Sequence, residues 1–319
     1  VYLCTKFNQY RFKNRLLKLP PGAVENIRKI YNLDKTGRLE EAIKILEEWI
    51  QKQDHIIKKD FSKHFLETTL ISCKGSVEKS KKQIDRLCTM KTLVPKFFSK
   101  VNAKVERLKY IFFCRWLIPL PIVTEDYYRI LLIKLSNKEF TTGSFMQYFQ
   151  YSIILSEYFK AHDYVNGFVI IYDCSNCNLI DLMTKLNTVE LQQFATIEGY
   201  CARLKSINIL TKSLGVELLV KTIKLLVSEK IGNRIHVQST IEDLHKVVPK
   251  EVLPVDYGGN EKSIETLHAE WMEELSSEEH VEYMKVINKA CSDETKRHEA
   301  KFNEEYMGMP GSFRCLSVD

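Results

Sequence analysis

Hydrophobic positions in this chain follow two different periods, and the change between them divides it. Between residues 22 and 52 they recur at helical spacing. In EEAIKILEEWIQ, Ala42, Ile43, Ile45, Leu46 and Ile50 fall largely on one face among charges. Residues 57–98 continue in this style across a turn at Lys74-Gly75, where Ser76 followed by Glu78 marks a helix start. The pattern predicts a small helical bundle over residues 22–98, and residues 1–21 are assigned no element.

Beyond residue 98 the pattern alternates between strand and helix. The runs YRILLIKL (128–135) and GFVIIYD (167–173) suit buried strands, 204–211 alternates with period two, and 234–239 is a short strand. Between and after them, helices are predicted over 145–162, 179–198, 214–228 and 241–247. Such alternation implies an α/β fold with a mixed, mainly parallel sheet and right-handed crossovers, over residues 99–262. The apolar run 110–123 is interrupted by Arg115 and is too short to span a bilayer. Its prolines, Pro119 and Pro121, argue against a continuous helix. Residues 263–319 read as an acidic helical extension ending in a loose tail.

The helix predicted over 214–228 has two apolar stripes. Val216, Leu219, Val220, Ile223, Leu226 and Val227 form one, and Leu214, Leu218 and Leu225 form another roughly opposite. Glu217, Lys221 and Lys224 lie between them. Two readings are open. The helix is buried on both sides, or it is a lid with one face on a lipid pocket and the other toward solvent or membrane. Three charges among the apolar positions make complete burial costly.

Composition narrows the function classes. A hydrophobic content of 45% with 28% charged residues is ordinary for a soluble globular protein. The net charge of +6 is unevenly spread. Residues 201–250 hold nine Lys/Arg against four acids, and from Glu251 onward sixteen acids face seven bases. A basic segment suggests an anionic partner, and an acidic end suggests exposure. Nine scattered cysteines and no apolar leader at the first residue suggest reduced thiols in the cytosol. Cys174 and Cys177 have CxxC spacing but lack a second ligand pair for zinc, so they read as small residues in a strand-to-helix loop. No GxSxG, HExxH, GxxxxGK[ST] or GxGxxG occurs, and His162 and His236 stand apart from any nucleophile. The expectation is therefore no enzyme, no catalytic residues, no cofactor and no metal. Nucleic acid is not expected either, because the cations interleave with an apolar helix rather than with stacking aromatics.

Several of these segments carry a resemblance. GFVIIYDCSN, RLKSINIL, SEKIGNRIHV and LHKVVPKEVLPVDYGG resemble the CRAL-TRIO lipid-binding family, in the branch of the tocopherol transfer, retinaldehyde-binding and clavesin proteins. CKGSVEKSKKQIDRL is similar to the helical N-terminal part of its insect-type members, and the resemblance spans about residues 57–262. It implies a helical N-terminal bundle, then a sheet flanked by helices with an apolar cavity under a lid. The implied job is to bind and move one hydrophobic molecule in the cytosol, with transient contact at phosphoinositide-bearing membranes. The family's gating helix falls on residues 214–227.

Carried over residue by residue, the resemblance assigns the cavity to Gln150, Tyr151, Ile154, Tyr172, Ala195, Tyr200, Ile207, Leu214 and Leu218. It assigns the phosphoinositide headgroup to Arg203, Lys205, Lys230 and Arg234, whose convergence would suit a multiply charged phosphate ester. There are two departures. Asn176 stands where the family has Gly, and Asn is the side chain best suited to a left-handed turn there. Leu70-Ile71-Ser72 replaces a stretch that often carries an arginine in the family. A cavity with hydroxyl and amide groups suits a long apolar ligand with one polar end, such as a tocopherol, retinoid, carotenoid, terpenoid, sterol or phospholipid. The rival reading is a trafficking adaptor that binds phosphoinositide without carrying cargo, with the acidic C-terminal region as a surface for a protein partner.

Overall fold

The computed structural model describes residues 16–103, 114–135, 142–201 and 203–297, with backbone alone at 114–115, 142–144 and 195–201. Helices α1 (Ala23–Ile30), α2 (Arg38–Gln51), α3 (Lys63–Ser72) and α4 (Val77–Leu93) form the N-terminal bundle. Their starts follow local chemistry. The Ser62 hydroxyl accepts from Phe65 N and the Ser76 hydroxyl from Lys79 N, as helix caps. The apolar faces of α1 to α4 meet in a core that includes Ile27, Leu46, Ile50, Leu66, Leu70 and Leu87, all buried.

Five strands follow: β1 (Cys114–Val123), β2 (Tyr128–Leu135), β3 (Gly167–Asp173), β4 (Leu204–Leu210) and β5 (Ile235–Gln238), in that order across one sheet. β1 pairs antiparallel with β2, and every later pair is parallel. The long crossover from β2 to β3 is α5 (Thr142–His162). The stretch predicted as one helix over 179–198 is two, α6 (Leu179–Lys185) and α7 (Thr188–Cys201). The Asn187 side chain breaks it by accepting from the backbone of Val189 and Glu190 at 3.1 Å, which starts a new helix. α8 (Val216–Leu226) and α9 (Glu229–Gly232) precede the last strand, and α10 (Ile241–His245) follows it and packs on β4 and β5. Asn176 does not supply a left-handed turn: among the described non-glycine residues only Asn32, Lys74 and Tyr127 have positive φ.

The apolar run with two prolines is an edge strand. An edge tolerates residues that lack an N–H, and the register slips between Pro119 and Val123. Its outer side is closed by the acidic end of the chain. α11 (Ile264–Glu274) buries Trp271, whose indole donates to Pro119 O at 3.0 Å. α12 (Glu278–Ile287) presents Ile287 O to the Lys91 ammonium, which also pairs with Glu157 at 2.7 Å. Arg297 then reaches Asp85 on α4 at 3.0 Å. The acidic extension is thus packed against the bundle and the sheet, with Glu265, Glu273, Glu278 and Glu279 on its outer face.

At the start of β2, Arg129 is fully buried. Its Nε and Nη2 donate to the two carboxylate oxygens of Asp163, at 2.9 and 2.8 Å. Its Nη1 donates to the carbonyls of Leu120, Pro121 and Lys18.

Two predictions follow from this packing. Replacing Arg129 by Ala leaves a buried carboxylate unpaired and is expected to cost about 3–5 kcal/mol in chemical denaturation, while the double change Arg129→Met with Asp163→Leu restores most of it. A fully stable single variant would show that the pair does not hold the edge. The second concerns the half-buried His162 and the buried His280, whose rings both pack on Tyr158, itself against Trp271. Burial, opposed by Asp163, pulls His162 down to about 4; burial and then the neighbouring His162 take His280 to about 3. Both imidazoles are neutral in the fold, so their contribution is complete above the unfolded value near 6.5 and fades as pH falls from there toward 4 and 3. At pH 5 the loss should be on the order of 2 kcal/mol for each, and a His280→Phe variant should flatten the pH profile of the melting temperature.

Candidate functional site: an apolar chamber beside a basic strand edge

β3 is the central strand, and its two faces differ. On one, Ile130, Leu132, Val169, Ile171 and Asn208 are all buried. On the other, the register aligns Leu131, Ile170 and Ile207 in a cross-strand row, with Tyr172 in the next row. These four are only partly buried, although they lie in the middle of the sheet and pack on the core. Their partial exposure marks a strip of this face packed less closely than its surroundings, which include the buried Ile133 and Ile209 on either side of Tyr172. Phe159 of α5 closes one end of this face, its ring 5.1 Å from that of Phe168. Further along, the Tyr148 and Tyr172 hydroxyls lie 3.2 Å apart, a polar spot on an apolar wall. Tyr148 and Phe149 pack on Phe194 of α7.

The assigned cavity residues divide. Tyr172 and Ile207 share the open face. Tyr151 and Ile154 are fully buried on α5. Gln150 is not directed at a ligand: its amide donates to Lys96 O at 2.8 Å and Ser99 Oγ at 3.2 Å, tying α5 to the end of the bundle. The side chains of Ala195 and Tyr200 lie outside the described residues. Leu214 and Leu218 are corrected, because they point outward with 99% and 53% of their surface exposed.

α8 explains that correction. Leu219 is buried, and Val216, Val220 and Ile223 pack partly buried against the core. Leu218 and Leu225 (79% exposed) occupy the opposite face, so burial on both sides is excluded. Ile180 of α6, which lies against Gly215, extends the outward leucines into one apolar patch, with Lys221 and Lys224 exposed on the same helix. The helix covers the interior with one stripe and shows the other to the outside.

The basic residues gather at the amino-terminal edge of the sheet. Arg203 and Arg234 each stand one residue before a parallel strand, β4 and β5, which are neighbours. Tyr128, the first residue of β2, lies under two cations, with Arg203 Cζ at 5.7 Å and Lys205 Nζ at 4.9 Å from its ring. Lys205 pairs with Asp126 at 2.5 Å, whereas Arg203 and Arg234 have no carboxylate within ion-pair distance among the described residues. Burial, and then the nearby Arg234, lower the Arg203 pKa. Arg234 anchors itself by donating to Leu204 O. Lys230 is exposed on α9, four residues before Arg234. Three of the four assigned cations therefore converge around Tyr128 or one another, and Lys230 stands on the adjoining helix. No cation comes from Leu70 or Ile71, which are buried in the bundle.

Sequence reasoning missed Leu131, Ile170 and Tyr148 in the chamber, and Tyr128, Asn166 and Tyr31 around the arginines. The signal for the first group was strand alignment: once β2, β3 and β4 are set in parallel register, Ile207 selects Ile170 and Leu131. Tyr31 comes from a distant helix, and nothing in the pattern pointed to it.

Gly167 fixes the strand edge. Its φ is +142°, and a Cβ there would sit 2.2 Å from Arg203 O. Gly167→Ala should therefore push the β3 and β4 starts apart, with a stability loss of about 2 kcal/mol or more and a displaced Arg203. An unchanged denaturation midpoint would contradict this tight approach.

Comparison with known proteins agrees with this architecture. Residues 35–108 match the model of a Pinta-like, UBA domain, and residues 117–259 match that of the CRAL/TRIO domain. No curated protein matches. Among solved structures, one described as the crystal structure of Sfh5 is similar at 10% identity with a TM-score of 0.47, covering 79% of this chain and 98% of that one. The chain carries a CRAL/TRIO domain at residues 117–259, with a Pinta-like, UBA domain before it.

Proposed function

We propose that this protein binds one small lipophilic molecule in the chamber beneath α8 and carries it between membranes, releasing it at surfaces that bear phosphoinositides. CRAL/TRIO domains bind small lipophilic ligands, and the fold suits lipid binding and transfer. The observation that carries the reading is the two-sided character of α8: an inner stripe on the core, and outward Leu218 and Leu225 with 53% and 79% of their surface exposed, preceded by Leu214 at 99%. Contiguous exposed apolar surface of this kind marks a contact with a membrane or a partner. Flanking lysines favour an anionic lipid surface.

The chamber wall suits a long apolar body, and the paired hydroxyls of Tyr148 and Tyr172 suit a single polar end. A retinoid, tocopherol, carotenoid or terpenoid meets both requirements. The arginine edge would receive the phosphoinositide headgroup, since guanidiniums bind phosphate oxygens in pairs. Such a carrier would work in the cytosol and touch membranes transiently.

Native mass spectrometry with organic extraction of the purified protein tests the reading, and one stoichiometric lipophile is the expected finding. A protein that stays empty when offered these lipids yet binds phosphoinositide vesicles would instead be an adaptor. Leu218→Asp should slow transfer between vesicles about tenfold, equivalent to losing about 1.4 kcal/mol of membrane contact, while bound cargo is retained. Unchanged transfer kinetics would count against α8 as the membrane-facing cover.

A further inference from the structure

The Arg203 guanidinium is held by the N-terminal bundle. Its Nη1 donates to the Tyr31 hydroxyl and to Asn166 Oδ1, the latter at 2.7 Å. The Tyr31 hydroxyl in turn donates to the same Asn166 oxygen, which closes a triangle. Asn166 is itself fixed by donating to Asp126 O at 3.0 Å. The rings of Tyr31 and Tyr128 each lie 5.7 Å from the Arg203 Cζ. An arginine has five N–H groups in a rigid fork. Here both Nη1 hydrogens are used, and among the described residues no acceptor meets Nε or Nη2. That remaining edge is the one that grips an oxyanion through two parallel bonds. Arg234 uses its own Nη1 on Leu204 O, so the neighbouring fork is anchored in the same manner. Two guanidiniums held side by side without a carboxylate repel each other, and an anion between them relieves that repulsion.

We infer that Tyr31 is a positioning residue for a phosphate-monoester site: with Asn166 it locks Arg203 so that its Nε–Nη2 edge and Arg234 face the same oxyanion. The site is therefore shared between the bundle and the CRAL/TRIO domain, and a tyrosine hydroxyl supplies the bundle's contribution in place of a cation. This rests on the headgroup reading above. The ligand is an inositol phosphate, either as a lipid headgroup or free in solution.

The test uses the full chain with two probes: soluble inositol trisphosphate by calorimetry, and phosphatidylcholine vesicles with or without phosphatidylinositol bisphosphate by sedimentation. Tyr31→Phe keeps the ring and removes the hydroxyl. It should weaken phosphate binding about 3- to 10-fold, the effect of one hydrogen bond to a charged group. In an Arg203→Lys background, which lacks the fork, Tyr31→Phe should weaken it no further. Equal binding by Tyr31→Phe and the parent would overturn the assignment, as would the same loss in both backgrounds, which a merely structural tyrosine would give. Binding of both probes, or of vesicles alone, supports the site with a lipid headgroup as ligand; binding of the soluble probe alone supports it with a free inositol phosphate. If the parent binds neither, or if Arg234→Ala binds as the parent does, the headgroup reading fails and this inference with it.

Discussion

The ion pair of Arg129 and Asp163 is the constraint on which the rest of the structure depends. A fully buried guanidinium is tolerable only when it is paired and hydrogen-bonded, since each desolvated charge costs several kcal/mol before its partners are counted. Arg129 meets that demand by drawing together four separate segments: the start of β2, the edge strand β1 through Leu120 and Pro121, the incoming chain at Lys18, and the end of α5 through Asp163. All of them are thereby tied to one guanidinium, and a shift at Asp163 would leave a buried charge unpaired. The pair also sets the loop that follows Asp163. Tyr164 donates to Glu67, which Arg28 holds at 2.7 Å, and Asn166 joins Tyr31 to Arg203. The bundle is therefore seated on the sheet by the same short loop that the ion pair fixes.

The two faces of the sheet are packed differently. The face of β3 that carries Val169 and Ile171 is closed, and at its far end Tyr257 donates to the buried Asp173 at 2.6 Å. The opposite face keeps Ile170 and Tyr172 partly open. A sheet packed densely on both faces could not admit a ligand, and one open on both would lack an anchored floor. With the Tyr257 clasp on the closed side and the Arg129–Asp163 pair at the amino-terminal end of the other, in register with Phe168, the middle of the open side is left with few polar commitments, among them the Tyr148 and Tyr172 hydroxyls.

Much of this was legible in the sequence where local pattern and tertiary need coincide. The strands at 128–135, 167–173 and 204–210 are apolar because they are central, and Ser76 caps its helix as the spacing implied. The edge strand was not legible, because Pro119 and Pro121 exclude a helix but do not announce a strand; its position beside α11 and Trp271 makes them tolerable. The acidic end looked like a solvated surface because its charges dominate the count, yet Trp271, Met284 and Ile287 are the positions that decide its packing. For the site, charge at Arg203, Lys205 and Arg234 could be read residue by residue. The outward direction of Leu214 and Leu218 could not, because a two-striped helix does not say which stripe faces in. The amide of Gln150 misled for a related reason: a polar group on a cavity-bearing helix can serve the neighbouring backbone as well as a ligand.

The apolar patch and the basic edge are not independent surfaces. α8 ends against α9 through the stem of Lys224, close enough that a Cβ on Gly232 would lie 3.2 Å from its Cγ. α9 then runs into Arg234 within two residues, and Arg234 O accepts from Ile207 N on the chamber's floor strand. The two surfaces are thus joined by one short, tightly packed path, with the glycine setting how closely the two helices meet. For a carrier, membrane contact by the leucines and anion contact by the arginines would address neighbouring parts of the same path. Within the carrier reading, that arrangement lets a surface offering both apolar depth and phosphate act on the chamber's cover more strongly than a surface offering either alone.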